Sequence, residues 1–207
     1  MKHKLGAVCM LLGAALILAA LSLFLWNQRE GEAAGNSAEK ILPRIMERIE
    51  AQGIGDGPED GPSLPDPYDP AMTEVEIDGY AYVGYLSIPA AELELPVMSQ
   101  WDYERLKTAP CRYAGSVKTG DLVICAHNYT RHFGPIQNLA PGDPVYFTDM
   151  DGVVWRYEVA AVEILPPAAI EAMTAGEYGL TLFTCTYGGR SRVTVRCAGV
   201  DDSEAEG

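Results

Sequence analysis

Positive charge is scarce in this sequence, where 15 Lys and Arg residues stand against 29 Asp and Glu residues and give a formal net charge of −14. Nucleic acid requires a basic face for its phosphates, so this composition argues against a nucleic-acid partner. Five cysteines in 207 residues are too few for a disulfide-dense scaffold. No internal repeat is visible, and no acidic cluster has the D-x-D-x-D-G spacing of a calcium loop. Nothing in the sequence therefore calls for a metal or another cofactor.

A long uncharged run is the first positive feature, extending from Leu5 to Trp26. A bilayer core needs about 20 apolar residues in a helix. Lys2 and Lys4 precede the run and Glu30 follows it closely. The positive-inside rule then predicts a cytoplasmic N-terminus, with the rest of the chain outside the cell.

A cleaved signal peptide is the rival interpretation of this run. Its apolar region is usually shorter, about 7–15 residues, and ends in small residues. Here the run ends in the bulky sequence Leu23-Phe24-Leu25-Trp26, which favours an uncleaved anchor. Either interpretation predicts an exported domain.

Residues 37–52 have the spacing of a short amphipathic helix. The apolar positions are Ile41, Leu42, Ile45, Met46 and Ile49. Ser37 is a candidate N-cap, and Pro43 either lies in the early helix or breaks it. We expect this helix to lie on the exported domain or on the membrane surface.

Residues 53–70 are dominated by Gly, Pro, Asp and Glu and cannot bury enough surface to fold alone, so we interpret them as a linker. The predicted division of the chain is a cytoplasmic tip and transmembrane anchor (1–26), an extracellular stalk or linker with the short amphipathic helix (27–75) and an exported domain (76–207).

The exported domain reads as all-β. Seven segments are rich in β-branched, aromatic and alternating residues: Tyr80–Ile88, Leu93–Met98, Leu122–Ala126, Val145–Thr148, Val153–Ile164, Leu180–Thr184 and Arg192–Val200. Turn signals separate them, and Asp102–Lys107 and Ile170–Met173 each predict one or two helical turns. Seven or so short strands in one domain indicate a sandwich or a closed barrel.

The four cysteines beyond the anchor could form two disulfides, or could be one reactive thiol with three inert ones. They are Cys111, Cys125, Cys185 and Cys197. Cys185 ends an apolar strand beside a Gly-Gly turn, where a thiol is exposed enough to react. Cys197 lies in mid-strand, which is typical of a small buried hydrophobe.

A reactive thiol needs a base and an anion-stabilising donor nearby. His127 follows the strand Leu122–Ala126, whereas His132 lies in a predicted turn. Most lone histidines are surface or packing residues, and a strand end makes His127 the better candidate. Arg190, Arg192 and Arg196 would share one face of an extended strand, with Arg192 nearest the thiol. The alternative is that all three are solvated surface charges.

Taken together, these residues resemble the sortases, a family of membrane-anchored cysteine transpeptidases. The family signature Thr-Leu-x-Thr-Cys is matched by Thr181–Cys185, and Arg192 follows on the next strand. His127 ends an upstream strand, as the family's histidine does, and Gly84–Pro89 has the family's Gly-x-Leu-x-Ile-Pro pattern. The resemblance covers about residues 80–200, and the short loop after Cys185 is more similar to classes B, C and D than to class A.

The resemblance implies a closed eight-stranded β-barrel with short helices, anchored by one transmembrane helix. It implies that Cys185 is the nucleophile, that His127 is the acid and base, and that Arg192 stabilises the oxyanion or positions the sorting peptide. Thr184 is predicted to contribute to substrate binding. The implied substrate is an exported protein with a C-terminal Leu-Pro-x-Thr-Gly-like motif, and the implied acceptor is an amine of a peptidoglycan precursor or a pilin lysine.

Other interpretations stay open. A cysteine hydrolase would use the same residues and release the acid to water. A non-catalytic β-barrel that binds wall components would pair Cys185 with Cys197 or Cys111. An L,D-transpeptidase is disfavoured because its cysteine follows Ser-x-Gly, whereas Phe183-Thr184 precede Cys185 here.

Overall fold

The N-terminal part of the chain is one long helix. In a computed structural model of the protein, the structure describes residues 2–54, 71–186 and 188–200. Helix α1 spans Lys2–Ile54 and crosses the predicted anchor–stalk boundary after Trp26 without a break. Among the described residues it is the helix with the length and apolar composition to cross a membrane. Residues 55–70, most of the predicted linker, lie outside the described residues.

The rest of the described chain is a β domain with a few short helical turns. Its strands are β1 (Val75–Ile77), β2 (Tyr80–Ile88), β3 (Leu93–Met98), β4 (Cys111–Ala114), β5 (Leu122–Cys125), β6 (Pro144–Asp149), β7 (Val154–Leu165), β8 (Leu180–Cys185) and β9 (Arg192–Gly199). Helical turns occupy Pro89–Ala91, Arg105–Lys107 and Gly134–Asn138, and a four-residue helix α2 spans Ile170–Met173.

Eight of these strands close a barrel. The hydrogen-bonded order is β2-β3-β4-β5-β8-β9-β7-β6, and β6 pairs back onto β2. The short strand β1 pairs antiparallel with the start of β2, outside the ring. The predicted all-β fold with a closed eight-stranded barrel is therefore confirmed.

Closure depends on a glycine in β2. Gly84 has φ +148 and is paired with Asp149 of β6. A Cβ at this position would collide with the carbonyl oxygen of Thr148. The first residue of the Gly-x-Leu-x-Ile-Pro pattern therefore lies where the two closing strands approach most closely.

Strand alternation divides the apolar side chains between two cores. Inside the barrel lie residues from β5, β8 and β9, among them Leu122, Ile124, Leu180, Leu182, Val193 and Val195. A second core lies on the outer face and contains Val123, Cys125, Phe183, Met173 of α2 and Ile45 of α1. Because β5 and β8 contribute to both cores, their register is fixed on both faces.

Helix α1 packs on the barrel along its C-terminal half, as predicted for residues 37–52. Its buried positions recur at helical spacing at Ala34, Gly35, Ala38, Ile41 and Ile45. The guanidinium of Arg131 donates to the side-chain oxygen of Asn36 at 2.7 Å and forms an ion pair with Glu39. The amphipathic stripe therefore lies against the domain.

Three details differ from the sequence-based expectations. Ser37 is not an N-cap, because it lies inside α1 and its hydroxyl donates to the carbonyl of Ala33 at 2.9 Å. Pro43 does not break the helix, since buried side chains on either side of it, Ile41 and Ile45, hold the helix on the barrel. Strands β1 and β4 were not predicted, because three or four residues give too little alternation to recognise.

The close contact at Gly35 gives a prediction about α1 docking. An added Cβ at Gly35 would lie 2.8 Å from Cβ of Arg131, whereas one at Gly31 would lie an ordinary 3.6 Å from Tyr129. Both changes to Ala gain helix propensity of about 1 kcal/mol. We expect Gly31→Ala to raise the melting temperature of the full chain in detergent and Gly35→Ala to lower it. Equal melting temperatures for the two variants would contradict this packing.

Candidate active site

The parallel pairing of β5 with β8 brings the predicted histidine and cysteine to one edge of the barrel. Cys125 is the register partner of Phe183, and the N–H of Ala126 donates to the carbonyl of Phe183 at 3.2 Å. His127 follows Cys125 by two residues, and Cys185 follows Phe183 by two residues. Because parallel strands end at the same edge, this register carries both side chains to that edge.

Strand β9 brings the arginine to the same edge. Cys185 and Arg192 are register partners at the turn end of the antiparallel β8–β9 pair. The connecting turn is closed by hydrogen bonds between Thr186 and Ser191. Gly188 and Gly189 have φ +85 and +71, a conformation that favours glycine and permits this turn.

One groove of about 190 Å³ collects these residues. Its lining includes His127, Thr184, Cys185 and Arg192. The rest of the wall is mainly apolar and aromatic: Trp101, Tyr103, Leu106, Tyr113, Pro167, Ile170, Met173 and Phe183. The groove therefore joins a thiol, an imidazole and a guanidinium to an apolar surface suited to a peptide.

Three aromatic rings form a continuous wall that leads to the thiol. The ring of Trp101 lies 5.2 Å from that of Tyr113, which meets the ring of Phe183 edge-on at 5.1 Å. Phe183 lies two residues before Cys185 on the same face of β8. Ring contacts of this kind stabilise the wall beyond simple burial.

Cys185 differs from the other barrel cysteines in its exposure. All described cysteines are free, but Cys111, Cys125 and Cys197 are buried while Cys185 is partly exposed. Burial raises the pKa of Cys111 and of Cys197 to about 12, and it raises the pKa of Cys125 as well. Since the thiolate is the nucleophile, the three buried thiols are inert.

His127 is half-buried, and charges from two other elements act on it. Burial lowers the pKa of His127 from its ordinary value, while the carboxylate of Glu30 acts to raise it and the ammonium of Lys107 acts to lower it further. The ring of Tyr129 lies 4.9 Å from the imidazole. The neutral imidazole, which can accept a proton, is therefore favoured in the unliganded protein.

His132 is a packing residue. Its side chain is completely buried, and burial lowers its pKa to about 4. It contributes nothing to the groove, as the sequence interpretation expected.

The three arginines have different environments. Arg192 lines the groove and donates to the carbonyls of Gly189 and Ser191. Arg190 is exposed in the turn before β9. Arg196 is buried, so the alternative of three solvated charges is wrong for it.

Arg196 connects the groove wall to the barrel. Its guanidinium donates to Glu163 and Thr181 and to the carbonyls of Ala172 and Met173 at the end of α2. These contacts fasten α2, whose Ile170 and Met173 line the groove, to β8.

Thr184 has an internal hydrogen bond. Its hydroxyl is buried and donates to the carbonyl of Ala126 at 2.7 Å, in the residue before His127. The contact joins the end of β8 directly to the segment that carries the imidazole. Its predicted role in substrate binding stays a prediction, and the hydroxyl is already engaged in this contact.

The sequence interpretation missed the rings and the helix that surround the site. Trp101 and Tyr113 are separated from Cys185 in sequence, and only the barrel brings them together. Glu30 and Gly31 of α1 lie near His127 and Tyr129, a proximity that the predicted stalk or linker over residues 27–75 did not suggest. The available signal was the small-residue spacing of Gly31, Ala34, Gly35 and Ala38.

Comparisons with known proteins agree with this geometry. A family model of the sortase domain matches residues 86–200. Sortase A from Bacillus anthracis is 29% identical over 129 residues, which are 56% of this chain and 59% of that protein. The match therefore spans less than two thirds of the relative's length.

Solved structures share the fold. A sortase C from Streptococcus pneumoniae, described in terms of catalysis and pilin substrate specificity, is 21% identical and has a TM-score of 0.55. The structural match covers 76% of this chain and 88% of the pneumococcal chain. Sortase A from Corynebacterium diphtheriae is 19% identical with a TM-score of 0.55, and the match covers 86% of this chain and 96% of that one.

The barrel and its groove thus define a closed β-barrel domain that brings a thiol, an imidazole and a guanidinium to one edge. The chain belongs to the sortase family, because the family model matches more than half of it. The resemblance stated from the residues is confirmed.

The cysteine environments predict selective alkylation. In the folded chain treated with iodoacetamide at pH 8, we expect Cys185 to be modified well before Cys111, Cys125 and Cys197, because only its thiol is accessible. Peptide mass spectrometry checks this, and urea should make all four react. The Cys185→Ala variant is the control and should show no early barrel modification. A protected Cys185 in the folded chain would instead support the disulfide-paired, non-catalytic barrel.

His132 predicts a loss of stability in acid. The buried ring stays neutral down to about pH 4, whereas in the unfolded chain it gains a proton below about pH 6.5. Its contribution is therefore complete above pH 6.5 and declines as the pH falls, by about 3 kcal/mol at pH 4. Urea unfolding of the full chain at several pH values measures this loss. His132→Phe should flatten the decline, while His127→Ala should retain most of it; an unchanged decline in His132→Phe would contradict the assignment.

Proposed function

We propose that this protein is a cysteine transpeptidase of exported proteins. It cleaves a C-terminal Leu-Pro-x-Thr-Gly-like sorting motif after the threonine and joins the new carboxyl end to an amine. The acceptor is an amine of a peptidoglycan precursor or a pilin lysine. The N-terminus lies in the cytoplasm, and the catalytic domain lies outside the cell, anchored by the apolar part of α1.

One observation carries the proposal. The register of β5 against β8, with β9 returning from the next turn, brings His127, Cys185 and Arg192 to one groove. Three residue types that acyl transfer requires converge there from three strands. Among the barrel cysteines that the structure describes, the thiol in this groove is the accessible one.

The proposed chemistry has two half-reactions. In the first, neutral His127 accepts the proton of the Cys185 thiol, the resulting thiolate attacks the carbonyl carbon of the motif's threonine, and the scissile C–N bond breaks as His127 gives that proton to the leaving amine. A thioester remains on Cys185. In the second, the acceptor amine attacks the thioester carbonyl, His127 takes a proton from that amine, and the C–S bond breaks to restore the thiolate.

Arg192 interacts with the negative charge that develops on the carbonyl oxygen. Its guanidinium is permanently charged and offers several N–H donors, so it stabilises an oxyanion or holds the peptide carbonyl in position. In the unliganded groove two turn carbonyls accept its hydrogen bonds. An incoming oxyanion is a stronger acceptor than these neutral carbonyls and would replace them.

The walls of the groove suit the motif. The rings of Trp101, Tyr113 and Phe183 offer apolar surface for its leucine and proline. Thr184 contributes by holding the Ala126–His127 segment at the correct distance from Cys185. Because the loop after Cys185 is short, we also propose that this sortase is nearer to classes B, C and D than to class A. The pilin acceptor is supported by likeness to the pneumococcal sortase C, whose description names pilin specificity.

The test combines the full chain in liposomes with a library of Leu-Pro-x-Thr-Gly-type peptides and amine acceptors. Mass spectrometry should detect an acyl adduct on Cys185 that is chased into an acceptor-linked product. Cys185→Ala should form no adduct. His127→Ala should lose about 10²–10⁴-fold in rate, the usual contribution of acid–base catalysis. Arg192→Lys should lose about 10²-fold, because the planar fork is lost.

Arg190→Lys is the matched control, because Arg190 is exposed in the same turn and should remain within about twofold of the parent rate. An active Cys185→Ala enzyme would end this mechanism. Cleavage with every acceptor amine tested but no transferred product would identify a cysteine hydrolase instead.

A further inference from the structure

The apolar run and the docked part of α1 are joined without a spacer. The run ends at Trp26, and Gly31 already faces Tyr129 across a shared cleft, where a Cβ added to Gly31 would lie 3.6 Å from the Tyr129 side chain. Five residues of helix separate the two points, or about 8 Å at 1.5 Å per residue. The sequence interpretation had placed a stalk or linker over residues 27–75 between the anchor and the domain.

The part of the barrel nearest this junction is the edge that carries the groove. Gly31 and Tyr129 line one cleft, and the ring of Tyr129 lies 4.9 Å from that of His127. Glu30, one residue earlier on α1, is close enough for its carboxylate to act on the pKa of His127, which it tends to raise. The candidate catalytic edge therefore begins within two helical turns of the end of the apolar run.

Two clefts between α1 and this edge are lined partly by residues of the apolar run itself. One, of about 490 Å³, is lined by Ala20, Leu23, Phe24, Asn27, Asn128 and Gly188. The other, of about 450 Å³, continues from Phe24 to Arg131. Gly188 belongs to the β8–β9 turn, so this turn lies beside the last residues of the predicted membrane span.

The docking extends far enough along α1 to fix the orientation of the barrel. Ile45 is completely buried, Ile49 packs against the outer core, and Arg44 forms an ion pair with Asp78. Contacts from Gly31 to Ile49 extend over about five helical turns. The helix therefore cannot act as a swinging tether while these contacts persist.

We propose that α1 holds the groove-bearing edge of the barrel against the surface of the lipid bilayer. The Asn128 segment and the β8–β9 turn then face the headgroup layer. This inference rests on the proposed function for its substrates. It predicts that turnover of a membrane-tethered motif depends on the height of that motif above the bilayer.

An insertion that raises the barrel tests the proposal. Seven helix-forming residues inserted between Trp26 and Asn27 add about 10 Å and nearly two full turns, so the facing of α1 is preserved. The full chain in liposomes is given two substrates: a soluble motif peptide, and the same motif attached by a short spacer to a transmembrane peptide. We expect unchanged turnover of the soluble peptide and at least a tenfold loss for the tethered one.

Lengthening the spacer of the tethered substrate by about 10 Å should compensate for the raised barrel and restore turnover by the insertion variant. Equal turnover of the tethered substrate by the parent and the insertion variant would overturn the proposal. An equal loss of turnover on both substrates would also overturn it, because the insertion would then have damaged the active site and not merely raised it above the bilayer. An inactive parent chain would refute the proposed function, and the depth measurement below would still decide this inference.

The depth measurement needs no activity. In a Cys9→Ala, Cys185→Ala background, a fluorophore is attached through Arg190→Cys in the β8–β9 turn or through Gly199→Cys at the far end of β9. About 24 Å of strand separates the two ends of β9. Quenching by headgroup-labelled lipid in nanodiscs should be strong for the first label and weak for the second. Equal or reversed quenching would overturn the proposal.

Discussion

The parallel pairing of β5 with β8 is the constraint on which the site depends. Parallel neighbours finish at the same edge of a sheet, so residues far apart in sequence meet there. His127 and Cys185 come together because Cys125 is opposite Phe183, not because of any local motif. Each strand contributes side chains to both an inner and an outer core, and a shift of one residue would exchange the two faces. The hydrophobic cores thus determine the alignment of the candidate catalytic residues.

Much of the barrel could be predicted from alternation and turn signals, because most of its strands are long enough to show a period of two. Strands β1 and β4 could not, since each is too short to carry a pattern and exists only through pairing with its neighbours. The closing role of Gly84 was equally hidden, because the sequence shows a glycine but not the backbone that approaches it.

The candidate site divides in the same way. Cys185, His127 and Arg192 could be predicted because each is adjacent to a strand end or start that the sequence reveals. The aromatic wall of Trp101 and Tyr113 could not, because a loop and a short strand assemble it in space. The helix predicted over residues 37–52 was too short for a related reason. Its apolar spacing and Pro43 suggested a short helix, whereas contacts with the barrel hold one continuous helix on both sides of Pro43.

The buried guanidinium of Arg196 has a consequence for selectivity. Because it connects β8, Glu163 and the end of α2, one side of the groove has already lost its conformational freedom when the protein folds. A peptide that binds there does not have to order that wall again. For the proposed sorting peptides, a wall of fixed shape would discriminate between motifs that differ by a single methyl group, because it would not rearrange to accommodate them.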